Sequence, residues 1–390
     1  MIARTAKSCS FVGRAETLLA QATAQTGLSD FGDPNFRDGY DRFLASLDAA
    51  SRLTEDGCTA TEAQIGLLLR CRLSTVAGWK ARPDCLQRPV VAPLIITGIV
   101  RSGTTALHRL LSIDPRFQGF EHWLVRAPKP RPPLADWPDD PAYRAAGVAL
   151  DQMIAAAPEM LNDHMMTVDA VEESIFLLAP SFANNMFPSQ WTIPDYDAWY
   201  RGIDERPCYR WLADTLRLIG VDTPDRRWLL KNPTDLHAID AVLEIFPDAK
   251  IILTHRDPVQ AIPSIANLLL SVRGMFEGDR ADPRQLIDRE ADFWAEALRR
   301  TEAAKVRRPE SFIDIEFGDF VRDQMGAVDA IYRHFGMVLA SDVEVEMRSW
   351  LAAHPRRPGV LQRHLPEEFG SSAVALAERF ADYRKMRNYV

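Results

Sequence analysis

Pro93-Leu94-Ile95-Ile96-Thr97-Gly98-Ile99-Val100-Arg101-Ser102-Gly103-Thr104-Thr105-Ala106-Leu107-His108-Arg109-Leu110-Leu111 is the stretch whose reading decides the fold. Leu94, Ile95, Ile96 and Thr97 form a short apolar, β-branched run of the kind that fills a buried parallel strand. A glycine turn follows, from Gly98 to Gly103. Thr104 and Thr105 then open a segment whose apolar residues, Ala106, Leu107, Leu110 and Leu111, recur at the spacing of one buried helix face. Strand, turn and helix N-terminus aim free backbone N–H groups and the positive end of the helix dipole at one point, a cradle for an anion.

The spacing G-x4-G-T-T follows the phosphate-binding loop G-x4-G-K-S/T at every place but one. Thr104 stands where the lysine belongs, and a cation, Arg101, sits inside the loop instead. Taken alone, the stretch suits an anion site or a plain buried strand-to-helix turn.

Composition bounds what the loop could serve. The 390 residues are 47% hydrophobic and 26% charged, ordinary for a soluble globular chain of one or two domains. A formal charge of −8 argues against a general nucleic-acid binder, although a local basic pocket can still hold a small anion. Cys9, Cys58, Cys71, Cys85 and Cys208 are odd in number and lack C-x2-C spacing, so reduced thiols are expected rather than a disulfide framework or a zinc site. The N-terminal segment has no apolar run of signal-peptide length, and no run approaches about 18 apolar residues. A cytoplasmic chain without a membrane span is the expectation.

Working outward, helical periodicity covers 14–29, 35–50 and about 60–80, which predicts an all-helical N-terminal region over 1–88. The remainder, 89–390, alternates strands and helices. A second strand is expected within 114–123, a third at Arg226–Lys231, a fourth at Ala249–His255 and a last one at Ser311–Phe317. Intervening helical patterns fall at 141–160, 235–245, from Pro258 through Leu270 and at 284–306, with a final one near 372–386. This alternation predicts an α/β fold with a central parallel sheet flanked by helices. Residues 163–200 are rich in Met, Phe, Trp and Tyr and broken by prolines. They suit either a substrate-facing insertion around a cleft or ordinary helical core.

Positive charge gathers where strands end, which is the ligand edge of an α/β sheet. Arg256 follows the fourth strand, and Ser264 lies eight residues on in the next helix. Since two helical turns are about seven residues, the pair can face one phosphate. Lys231 ends the third strand just before Asn232-Pro233 and can neutralise charge on a transferring group. Candidates for a general base are Glu121 and His122 after the second strand, then His164, Glu172 and Glu173; position favours the first two.

Together, GIVRSGTT (98–105), LLKNP (229–233) and THRDP (254–258) with its downstream serine resemble the sulfotransferases that use 3′-phosphoadenosine-5′-phosphosulfate (PAPS). In that superfamily a Lys/Arg-Ser-Gly-Thr-Thr loop cradles the 5′-phosphosulfate and an R-x7-S pair binds the 3′-phosphate. The resemblance implies that Arg101, Ser102, Gly103, Thr104 and Thr105 hold one end of PAPS and that Arg256 and Ser264 hold the other, with no metal. GLSDFG, LTEDG, DPRFQG, EESIFLLAPSF and RFADYR extend the likeness to the bacterial-type branch over most of the chain. Many members read L-K-x-P-x-H-L, whereas Asp235 stands here at the histidine's place. Tyrosylprotein sulfotransferases carry K-D-P-F, whose lysine stabilises the transferring sulfuryl group, and Lys231 matches it. Their catalytic glutamate follows the loop helix in a G-E-E context. Glu121 falls nearby with one extra residue, and His122 competes with it.

The expected reaction is in-line sulfuryl transfer from PAPS to a hydroxyl of a small, apolar or lipid-like acceptor, with Arg101 and Lys231 holding charge and Glu121 or His122 taking the proton. A P-loop kinase or nucleotide hydrolase is the alternative from another class, and it would need the absent loop lysine and a metal-holding partner. An inactive nucleotide-binding relative is the third reading.

Overall fold

Strands β1 (Leu94–Gly98), β2 (Phe117–Gln118), β3 (Arg227–Lys231), β4 (Lys250–His255) and β5 (Phe312–Glu316) form a five-stranded sheet in the order β2-β3-β1-β4-β5, every pair parallel. The computed structural model describes residues 9–156, 167–355 and 364–389. β1 lies at the centre because all five of its residues are buried, as a strand covered on both faces requires. Ile96 pairs with Lys231 on one side and Ile252 on the other, and Gly98 pairs with Thr254. This register brings the ends of β3 and β4 to the edge at which the glycine turn leaves β1. The second strand is shorter than expected, two residues between Asp114-Pro115 and Gly119, and borders β3 at the sheet's rim.

Helices α1 (Ala15–Thr26), α2 (Phe36–Ala50) and α3 (Glu55–Ala81) make up the N-terminal region. Their Leu18, Tyr40, Phe43 and Leu69 lie in the same apolar core as Ile95, Phe187 and Ile251. Gly57 lets α3 press onto a later helix, Pro258–Glu277, since a Cβ there would sit 1.8 Å from the Phe276 carbonyl oxygen. Arg72 of α3 donates to the carbonyls of Phe31, Asp33 and Pro180 at 2.7, 2.9 and 3.0 Å. Its guanidinium lies between the Phe36 and Trp211 rings. One expectation is corrected here: Cys9 and Cys58 are joined as a disulfide, with Cα atoms 6.2 Å apart, which ties the segment before α1 to α3. Cys71, Cys85 and Cys208 are free and buried.

The expected helix over 141–160 is Pro141–Ala156; its last residues and His164 lie outside the described residues. The aromatic segment proves double-sided. Phe182, Phe187, Trp191 and Tyr196 are buried in the core, while Glu173, Phe176, Met186, Ser189 and Gln190 line a cavity. Pro258–Arg280 reaches the length and hydropathy of a bilayer-crossing helix, but its Ala261, Ile262, Ile265 and Ala266 are buried against the core.

Candidate active site

The loop after β1 is shaped by close approach to β4. A Cβ on Gly98 would lie 2.1 Å from Thr254 Oγ1, so only glycine fits where the turn begins. Ser102 Oγ donates to the Ile99 carbonyl and lies 2.6 Å from Thr254 Oγ1, which closes the loop on itself. Gly103, at φ 87°, packs against Phe317 and Phe320 and passes the chain into α4 (Thr104–Leu111). Arg101 adopts φ 65°, a left-handed backbone uncommon for arginine that turns its side chain toward the neighbouring strand ends. Behind α4, burial pushes the His108 imidazole down to about 3, so it remains neutral beside Lys231.

Two strand ends converge on this loop. After β4, Arg256 Nη1 donates to the Arg101 carbonyl at 2.7 Å, and its guanidinium lies 4.7 Å from the centre of the Phe317 ring. Asp257 caps the following helix through the Val259 N–H and is itself gripped by Arg384. Ser264 sits two turns in, where its Oγ accepts from Arg101 Nε at 3.1 Å. After β3, the buried Lys231 places Nζ 3.2 Å from Thr105 Oγ1 and is paired with the Glu173 carboxylate. The Asn232 side chain is locked by Thr234 N–H on its oxygen and by Asp235 on its amide nitrogen at 2.6 Å. Tyr209 donates to the same Asp235 oxygen at 2.5 Å, and burial pushes the Asp235 carboxyl up to about 7.

The candidate bases separate. Glu121 accepts from Arg131 Nε at 3.1 Å, and Arg131 also donates to Gln118 and to the Gly119 carbonyl. Burial pushes the Glu121 carboxyl up, against the opposing pull of Arg131. His122 Nδ1 lies 2.8 Å from Glu172 Oε1. Among the described residues that line the cavity neither Glu121 nor His122 occurs, whereas Glu173 does. The reason is a backbone pairing: Glu121 and Val171 form an antiparallel bridge, with His122 N–H on the Ala170 carbonyl and Glu172 N–H on the Phe120 carbonyl. Successive side chains of extended backbone point to opposite sides. Glu172 therefore meets His122, and Glu173 meets Lys231.

The cavity has a volume of about 880 Å³. Arg101 and Gly103 to Ala106 form one end, and Glu173 with Asn232 to Thr234 flank it. Ile265, Leu268, Leu269 and Val272, at i, i+3, i+4 and i+7 on one helix, supply an apolar face. Trp294 and Trp350 close it from other helices, and Arg109, one turn after Thr105, adds a further cation. Sequence reasoning missed Arg109, Trp294 and Trp350, whose periodic context reads as ordinary helix surface. No group of three or more His, Cys, Asp or Glu side chains placed to hold a metal occurs among the described residues. Arg101, the start of α4 and the Glu173 carboxylate thus meet at one end of an apolar cavity, with Lys231 bonded behind them to Thr105 and Glu173, an arrangement able to stabilise a developing anion and remove a proton.

Known sulfotransferases resemble this chain in sequence and fold. The chain is similar to the crystal structure of sulfotransferase STF1 from Mycobacterium tuberculosis, 30% identical, with 96% of this chain and 100% of that one covered at a TM-score of 0.86. It is similar to that of sulfotransferase STF9 from Mycobacterium avium, 26% identical, with 97% of each covered at a TM-score of 0.87. The omega-hydroxy-beta-dihydromenaquinone-9 sulfotransferase Stf3 of Mycobacterium bovis is 27% identical over 279 residues, 67% of each chain. With residues 93–341 matching the family as a whole, the chain belongs to the sulfotransferase family and is a sulfotransferase of the P-loop type.

Proposed function

We propose that this sulfotransferase takes its sulfuryl group from PAPS and passes it to a hydroxyl on an apolar or lipid-like acceptor seated in the cavity. The observation that carries the reading is the contact of Arg101 with both Ser264 and Arg256, since it joins the glycine loop to an arginine–serine pair at the next strand end. A donor with phosphates at both ends fits such a two-ended site; one with a single phosphate chain does not need it. The apolar helix face supports a greasy acceptor, and so does Stf3, whose name records a hydroxylated menaquinone derivative as its substrate.

PAPS supplies an activated sulfuryl group on a phosphosulfate anhydride. The loop N–H groups and Arg101 would hold its equatorial oxygens, and Lys231 would meet the bridging oxygen as charge builds there. Glu173 would take the acceptor's proton. The acceptor oxygen bonds to sulfur, the bond from sulfur to the bridging oxygen breaks, and 3′,5′-adenosine bisphosphate departs. Glu173 is favoured over Glu121 and His122 because it stands in the cavity wall beside Lys231. A cation moving from Glu173 to the donor would free the carboxylate as the donor arrives.

Calorimetric titration with 3′,5′-adenosine bisphosphate and with ATP, each with and without Mg²⁺, tests the reading. Tight, metal-independent binding of the bisphosphate is expected. Mg²⁺-dependent binding of ATP in its place would show a kinase-like site and sink the proposal.

A further inference from the structure

The cavity is not apolar throughout. At the end remote from the loop its wall carries Asn185, Ser189, Gln190 and Glu290, of which Glu290 is only 1% exposed and Ser189 7%. Asn185, Ser189 and Glu290 are tied into one buried network, and Gln190 is held separately by Gln64. Arg289 donates to Asn185 Oδ1, to Ser189 Oγ at 3.2 Å and to Glu290 Oε1 at 2.6 Å, and it also grips Asp197. Trp294 Nε1 donates to Glu290 Oε2 at 3.0 Å. Asn185 Nδ2 donates to Ser189 Oγ at 3.3 Å, and Gln64 Nε2 donates to Gln190 Oε1 at 2.9 Å.

Counting donors and acceptors shows what is left over. Ser189 Oγ accepts twice, so its own O–H proton remains to be given; Gln190 has its oxygen engaged and retains its N–H₂ group. Both residues line the cavity, and among the described residues neither group meets a protein acceptor. An occupant of the cavity that brings an oxygen can therefore receive these donors.

The helix Pro258–Glu277 measures the distance. Ser264 meets Arg101 of the loop, and Arg273 donates to the Ser189 and Pro188 carbonyls at 3.1 and 2.7 Å. Those two positions are nine residues apart, or about 13 Å along the helix axis. The apolar face from Ile265 to Val272 runs between them. We propose that the acceptor is bifunctional: a chain whose hydroxyl reacts at the loop and which carries, roughly ten chain atoms away, a hydrogen-bond-accepting oxygen received by Ser189 and Gln190. The inference deepens the sulfotransfer reading and rests on it.

Transfer kinetics with 1-decanol and with 10-methoxy-1-decanol test it, because the two differ only in the distal oxygen. The methoxy alcohol is expected to show a kcat/KM about tenfold higher. That ratio should fall toward one in Gln190→Met and in Ser189→Ala. A wild-type ratio near one overturns the proposal, and so do variants that lose both alcohols in equal proportion. If neither alcohol yields bisphosphate product, the reading of an apolar alcohol as the acceptor is what fails. Calorimetric binding of the same two alcohols to the bisphosphate-saturated protein then decides the distal subsite: tighter binding of the methoxy alcohol supports it and equal binding refutes it.

Discussion

Arg101 donates from Nε to Ser264 Oγ over 3.1 Å although 163 residues separate them in the chain. The loop that would cradle one end of an anionic donor is thereby fastened to the serine that would read its other end. Arg256, bonded to the Arg101 carbonyl, completes the link. Arg256→Ala is expected to raise the donor KM about 10- to 100-fold, as loss of charged hydrogen bonds does, with a smaller change in kcat. Calorimetry gives the sharper check. Wild-type protein should prefer 3′,5′-adenosine bisphosphate to adenosine 5′-phosphate, and Arg256→Ala should bind the two alike. An unchanged preference would remove the 3′-phosphate assignment.

Lys231 stands beside Thr105, where the proposed transfer would take place. Lys231→Ala is expected to lower kcat about 100- to 1,000-fold while leaving the donor KM within a few-fold, the pattern of a group that acts chiefly in the transition state. A variant that raised KM and kept kcat would make Lys231 a binding residue only.

Glu173 and Glu121 make a paired test of the base. Glu173→Gln is expected to cut kcat at least 100-fold while leaving donor affinity within a few-fold. Glu121→Gln should retain kcat but destabilise the fold by about 2 kcal/mol or more, because it weakens the partner of the buried Arg131. Activity lost in Glu121→Gln and kept in Glu173→Gln would reverse the assignment.

Asp235 predicts a pH dependence of stability. Burial raises its carboxyl to about 7 in the folded protein, against a model-compound value of 3.8. Between these values the unfolded chain ionises at this position while the folded one keeps its proton. The site's contribution is therefore fully present below about pH 4 and is lost as pH rises through 7. Asn at this position can still accept from Tyr209 and Asn232, both of which use one oxygen, Oδ1. Urea unfolding of Asp235→Asn and wild type should show their difference shifting by about 2–4 kcal/mol in the variant's favour from pH 4 to pH 8. Parallel curves would mean that Asp235 does not hold its proton.

Much was legible in the chain itself. Turn chemistry and periodicity located β1, the glycine loop and α4, and the eight-residue step from Arg256 to Ser264 anticipated a pair that the structure does bring to the loop. Each of these signals lies within a short window, where backbone preference and side-chain period act directly. Nearness to the second strand favours Glu121 and His122 as bases, and nearness along the chain does not say which way a carboxylate points. The antiparallel bridge of Glu121 with Val171, fifty residues apart, turned Glu121 toward Arg131 and set Glu173 on Lys231. The Cys9–Cys58 disulfide, 49 residues apart, escaped a count of cysteines for the same reason. The sequence by itself determined a parallel α/β sheet with a glycine loop after its central strand and two cationic strand ends. Only the tertiary structure decided that Glu173, and not Glu121, lines the cavity beside the loop, because side-chain direction depends on long-range pairing that no local pattern encodes.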